Sequence, residues 1–113
     1  MEKYIRHIPA EIAFPLPGEV AYLPGHIVSK TLAQNKAVSL TLFAFDKGEE
    51  ISTHDSDGDA LVTVLEGTGQ ITVDGNPYTV NAGESILMPA KKPHAVFAAE
   101  RFKMLLTVVF PQA

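Results

Sequence analysis

The sequence contains no cysteine. It therefore has neither a disulfide framework nor a thiolate to serve as ligand or nucleophile. No apolar run reaches the roughly 20 residues of a membrane-spanning helix; the longest, from Met104 to Phe110, is interrupted by Thr107. The first seven residues lack the apolar core of a signal peptide. Cationic excess is missing too: nine Lys and Arg stand against thirteen Asp and Glu, for a net charge of -4. The basic residues are scattered, so no electrostatic footprint for nucleic acid is present. Phosphate-cradling glycine loops, a dinucleotide fingerprint and a Ser-His-Asp order are likewise absent. The expectation is a cytoplasmic protein without nucleic-acid or membrane partners.

What is present describes a folded domain of turns and strands. Apolar residues make up 46% of the 113 and charged residues 19%, a globular balance in one domain-sized chain. Pro9, Pro15, Pro17 and Pro24 exclude a long helix from residues 1–25. That segment is expected to be an irregular arm whose Tyr4, Ile5, Phe14, Leu16, Tyr22 and Leu23 pack on the rest of the chain or on a partner subunit. From residue 26 to 113 the pattern is that of successive strands. Residues 37–46 alternate and are rich in β-favouring side chains. Leu61–Leu65 and Gln70–Val73 flank Glu66-Gly67-Thr68-Gly69, which reads as a hairpin signal. Asp74-Gly75 predicts a tight turn into a strand at residues 78–80. Ser85–Met88, His94–Phe97 and Phe102–Phe110 complete the set, and no segment after Gly25 shows caps with a 3.6-residue period. Short strands at this spacing predict an all-β sandwich or barrel.

Two segments carry the chemistry. The first runs from Gly48 through His54, Ser56 and Ala60 to Leu65-Glu66-Gly67; the second runs from Gly83 through Pro89 to Pro93-His94. Their spacing of glycines, proline and histidines resembles the two signature motifs of the cupin family, over about residues 36–110. The resemblance implies an all-β fold, a double-stranded β-helix or jelly-roll cupin barrel behind the irregular arm. It also implies a site inside that barrel, where the motifs bring together three histidines and a glutamate around a metal ion. Here His54 and His94 hold two of the four positions. Ser56 replaces a histidine, and Ala60 or Leu61, depending on the direction of counting, replaces the glutamate. Lys91 stands for the glycine of the second motif and Ala98 for its asparagine.

Two imidazoles are fewer than the three or four protein ligands of ordinary metal sites. Asp59, next to the glutamate position, is the candidate third ligand; a bulge at Asp57-Gly58 would turn it inward, against the two-residue period of a strand. Such a site would suit a divalent transition metal (Fe, Mn, Ni, Cu or Zn). Three readings stay open. One is an enzyme, an oxygenase, isomerase or decarboxylase with a metal on His54 and His94. The second is a metal-free barrel that binds or senses a small-molecule ligand, walled by Val62, Val64, Met88 and Val96. The third is a structural dimer with a vestigial site and no cofactor. His7 and His26 lie outside the motifs and read as ordinary surface or packing residues.

Association follows from the last strand. Phe102–Phe110 is apolar on both faces except at Lys103 and Thr107, as in a strand buried on both sides. Ser39, Thr41, Phe43 and Phe45 are expected to extend this apolar patch. Small cupins commonly pair through such sheets, so a homodimer is the expected assembly.

Overall fold

The computed structural model describes residues 4–112; residues 1–3 of the arm and residue 113 lie outside the described set. Eight strands follow a short 3-10 turn at Leu16–Glu19: β1 (Ile27–Gln34), β2 (Val38–Phe45), β3 (Glu50–His54), β4 (Asp59–Val73), β5 (Asn76–Asn81), β6 (Ser85–Met88), β7 (His94–Phe97) and β8 (Phe102–Val109). All pair antiparallel. The path runs β1-β2-β8-β4-β7-β3, and β5 and β6 add to β4.

β4 joins the two sheets. Its first half pairs with β6 and β8, and its second half with β5 and β7. Glu66–Gly69 is therefore no hairpin but the bend of one 15-residue strand, with a bulge between Val64 and Glu66. A reversal would have separated the halves; a bulge and Gly67 at φ +73 instead redirect the strand without ending it. Gly67 is also where the backbone of β8 presses in. A Cβ there would lie 2.4 Å from the Arg101 carbonyl oxygen, closer than any side chain tolerates. The turn expected at Asp74-Gly75 forms, with φ of +52 and +82, and starts β5 two residues earlier than the periodicity indicated.

The main core lies between the sheets and includes Phe45, Val62, Val64, Ile71, Phe102 and Met104. Phe45 and Phe102, opposite one another on β2 and β8, stack with ring centroids 4.7 Å apart. A second cluster sits on the outer face of β1, β2 and β8, where Val20, Leu16 and Tyr22 of the arm cover Leu32, Leu42, Ala44 and Leu105. β2 thus divides its residues in a way opposite to the sequence expectation. Phe43 and Phe45 turn into the barrel, while Leu40, Leu42 and Ala44 face the arm. The side-chain period of two fixed that a division existed; which face was inward depended on the pairing with β8.

Polar contacts tie the arm down. Lys103 Nζ donates to Pro17 O at 2.7 Å, and Tyr22 Oη donates to Glu66 Oε2 at 2.6 Å. The Tyr22 ring lies under both Arg101 and Lys103. Burial and the Glu66 carboxylate push the Tyr22 phenol well above its ordinary range, so it stays a donor. At the next corner Asp46 accepts from Arg101 Nε at 2.8 Å and from Gly25 N at 2.6 Å. The Arg101 bond, helped by backbone donors, holds the Asp46 carboxyl down at about 2.

Candidate functional site

His54 ends β3 and His94 begins β7, and these strands pair so that the two residues stand directly opposite. Cross-strand partners are the closest neighbours a sheet provides. Here they bring Nε2 of one ring to 3.1 Å from Nε2 of the other. The rings meet nearly edge to face, with centroids 4.4 Å apart. Nδ1 of His54 lies 2.9 Å from Ser52 O, and Nδ1 of His94 lies 3.1 Å from Lys92 O. A carbonyl oxygen only accepts, so each Nδ1 carries the proton and donates it. Each Nε2 is left with a lone pair, and the two atoms stand within hydrogen-bond distance, although centroids only 4.4 Å apart show that the rings do not meet head on. Something positive belongs between them, a proton or a metal ion. His94 is buried, and burial first and the neighbouring His54 second hold its pKa below the ordinary imidazole range. The neutral form of His94 is thereby favoured.

The two histidines sit in the wall of an apolar cavity of about 220 Å3. Met88, Val96, Met104 and Leu106 contribute much of the rest of the wall, and Ser39 and Ser56 add hydroxyls. Of the expected wall residues, Met88 and Val96 line it, whereas Val62 and Val64 belong to the packed core. Met104, Leu106 and Val108 were not singled out in the sequence, although they alternate along β8 as one face must.

The structure decides between the two countings for the glutamate position. Ala60 is 2% exposed and lines the cavity; Leu61 is 39% exposed and points away. Residues 59–64 alternate without a slip, since the bulge of β4 comes later, at Val64/Glu66. Asp59 consequently lies on the outer side and is not part of the cavity wall. Its Oδ1 accepts from Ala90 N at 2.8 Å and so braces the loop that delivers His94. The same loop is held by Lys91 N donating to Ser56 O at 2.7 Å, which joins the two motif segments. Lys91 has φ +66, the left-handed conformation that glycine adopts freely at this motif position; a side chain there costs about 1–2 kcal/mol. Among the described residues, no group of three or more His, Cys, Asp or Glu is placed to hold a metal ion. His26, outside the motifs, only turns its Nδ1 to Pro24 O.

Residues 41–110 match the family described as Cupin_2, a cupin domain. The chain is a cupin. Over 99% of its length it is similar to a conserved protein of unknown function from Streptococcus pyogenes, at 44% identity and a TM-score of 0.95, covering 98% of that chain. A cupin superfamily protein from Desulfitobacterium hafniense is 31% identical, with a TM-score of 0.90 over 95% of this chain and 98% of that one. A Cupin 2 conserved barrel domain protein from Leptotrichia buccalis is 48% identical over 85% of this chain and 47% of that one, with a TM-score of 0.83. Similarity also extends to the dimethylsulfoniopropionate lyase DddW of Ruegeria pomeroyi, at 27% identity over 84 residues. This cupin aligns over 74% of its own length and spans about half, 54%, of that curated relative. No helix in the described residues is long and apolar enough to cross a membrane.

Proposed function

We propose that this cupin binds a small, largely apolar and uncharged organic molecule in the barrel cavity, beside one transition-metal ion held by His54 and His94. The observation that supports this is the 3.1 Å approach of two Nε2 atoms whose Nδ1 atoms are both engaged by carbonyls. Backbone partners on Nδ1 are the usual device that aims a metal-binding imidazole. The four-ligand set of the cupin motifs does not fit, because Ser56 and Ala60 replace two of its members. What fits is an ion that accepts two protein nitrogens and leaves positions open. Such an ion would supply Lewis-acid chemistry. The chain's own contribution is to orient two imidazoles and to surround the ligand with Val96, Leu106 and Val108. A cavity below the roughly 300–1,000 Å3 of drug-sized sites suits a small ligand.

The lyase activity named for the relative is not extended to this chain. A dipolar ion such as dimethylsulfoniopropionate would have to leave water for a lining without a carboxylate or ammonium group. A metal-free alternative has one observation in its favour, since 3.1 Å also suits a single proton shared between the rings.

Metal content per chain separates the two. Mass spectrometry of tag-free protein is expected to give close to one transition-metal ion per wild-type chain and none for the His54→Ala/His94→Ala double variant. Wild-type protein that stays metal-free after exposure to Fe, Mn, Ni, Cu and Zn would leave only the shared proton. A ligand that raises the melting temperature in the presence of chelator would then support the metal-free site, because binding to the native state stabilises it by mass action.

We also propose a homodimer. The arm covers one part of the outer sheet face, but Leu61, Leu87 and Val109 stay exposed on β4, β6 and β8. Leu61 and Leu87 are paired across the strands, so their exposed surface is contiguous. Light scattering at micromolar concentration should give twice the chain mass; a clean monomer would remove the proposal.

A further inference from the structure

The donor set of the cavity points to the identity of the ion. Resting on the reading of His54 and His94 as an ion-holding pair, we infer that the site selects cuprous copper over divalent metals, with a thioether of Met88 or Met104 as further donor.

Charge is the first reason. Among the described residues that line the cavity none is anionic, and Asp55, outside the lining, acts on His94 less than burial does, so an ion on the two neutral imidazoles keeps most of its charge in largely apolar surroundings. Desolvation cost rises with the square of the charge, so a dication meets about four times the penalty of a monocation. Divalent cupin sites offset part of that cost with a glutamate, and here the corresponding residue is Ala60.

Coordination number is the second reason. Zinc and its neighbours take four or more ligands, and hard ions among them favour carboxylate and water. Cuprous copper is satisfied by fewer, softer donors. Nitrogens on opposite sides of an ion at about 2.0–2.1 Å each would stand roughly 4 Å apart. The observed 3.1 Å is shorter, so the two nitrogens as placed do not span a linear pair and would leave a bound ion room for a third donor.

The third reason is that the lining contains sulfur at all. The chain has three methionines, and two of them, Met88 and Met104, line this one cavity with the histidines. Methionine is also a common filler of irregular cores, and the two roles differ in what they do to binding. Leucine fills the same space without a donor, so a binding measurement separates them.

The full-length chain would be titrated anaerobically with Cu(I) against the chromophoric chelator bathocuproine disulfonate, and with Zn(II) and Mn(II) against a fluorescent chelator. The expected result is one Cu(I) per chain, held about 100-fold or more tightly than Zn(II). Met88→Leu/Met104→Leu conserves volume and should stay folded; it should weaken Cu(I) by about tenfold or more and leave Zn(II) unchanged. His54→Ala/His94→Ala should abolish uptake. Zn(II) or Mn(II) held as tightly as Cu(I) would overturn the inference and leave the two-imidazole site standing. Undiminished Cu(I) binding by the folded methionine variant would overturn the thioether assignment. No uptake of any ion, or uptake that survives loss of both histidines, would overturn this inference together with the reading on which it rests.

Discussion

The double variant Ser56→His/Ala60→Glu is expected to bind Zn(II), Fe(II) or Mn(II) at least a thousandfold more tightly than the wild-type chain. Both positions line the cavity beside His54 and His94. Both match ligand positions of the cupin motifs, and the structure identifies Ala60, not Leu61, as the inward one. Structural zinc sites with four ligands bind with about 10–16 kcal/mol, or roughly 2.5–4 kcal/mol per ligand. Two added ligands therefore carry about 5–8 kcal/mol, and 1.4 kcal/mol is a factor of ten. A further effect follows from the buried carboxylate. Without metal, the variant places a charge in an apolar cavity and should melt well below the wild type; saturating metal should restore it. Isothermal titration and thermal denaturation with and without chelator check both parts. An affinity gain below tenfold would mean that the four positions do not converge on one point.

Phe102→Ala is expected to lower the unfolding free energy by about 3–5 kcal/mol, the range for truncating a buried aromatic ring. Phe102 is fully buried and stacks on Phe45, which is fully buried as well. Its ring edge also fills the space left by the missing side chain of Gly69, where a Cβ would lie 2.7 Å away. One ring thus secures the bend of β4 to β8 and to β2. Native domains have only about 5–15 kcal/mol to lose, so the variant should be marginal at 37 °C. Urea unfolding followed by circular dichroism would measure the change. A loss under about 1.5 kcal/mol would show that Phe45 and its neighbours collapse into the void.

Much of the barrel was legible because its punctuation is local. Asp74-Gly75 and Pro89 each constrain their own backbone, so the strands next to them could be placed from sequence. The Glu66–Gly69 segment misled for the same reason. Glycines permit a reversal and a bend equally well, and only the pairing of β4 with four other strands selects the bend. The inward face of β2 was misjudged because the alternation is symmetric until a partner strand sets the register. At the site, His54 and His94 were found from the motif spacing, and the structure makes them neighbours. Asp59 was considered because it adjoins the glutamate position in sequence. Yet adjacent residues of a regular strand point to opposite sides, and Asp59 uses its carboxylate to brace Ala90. Met104 was missed because β8 is apolar on both faces, so its sequence does not say which face meets the cavity.

The sequence by itself determined the family, the all-β architecture and the two histidines, since each is encoded in short-range spacing of glycine, proline and histidine. It also determined that the complete motif ligand set is missing, because Ser56 and Ala60 cannot supply it. Tertiary structure alone decided that two nitrogens 40 residues apart approach to 3.1 Å. It alone decided that the wall around them is uncharged and carries two thioethers. Those properties belong to strand pairing and to the choice of inward face. Both are set by contacts between residues far apart in the chain, where local sequence has no voice.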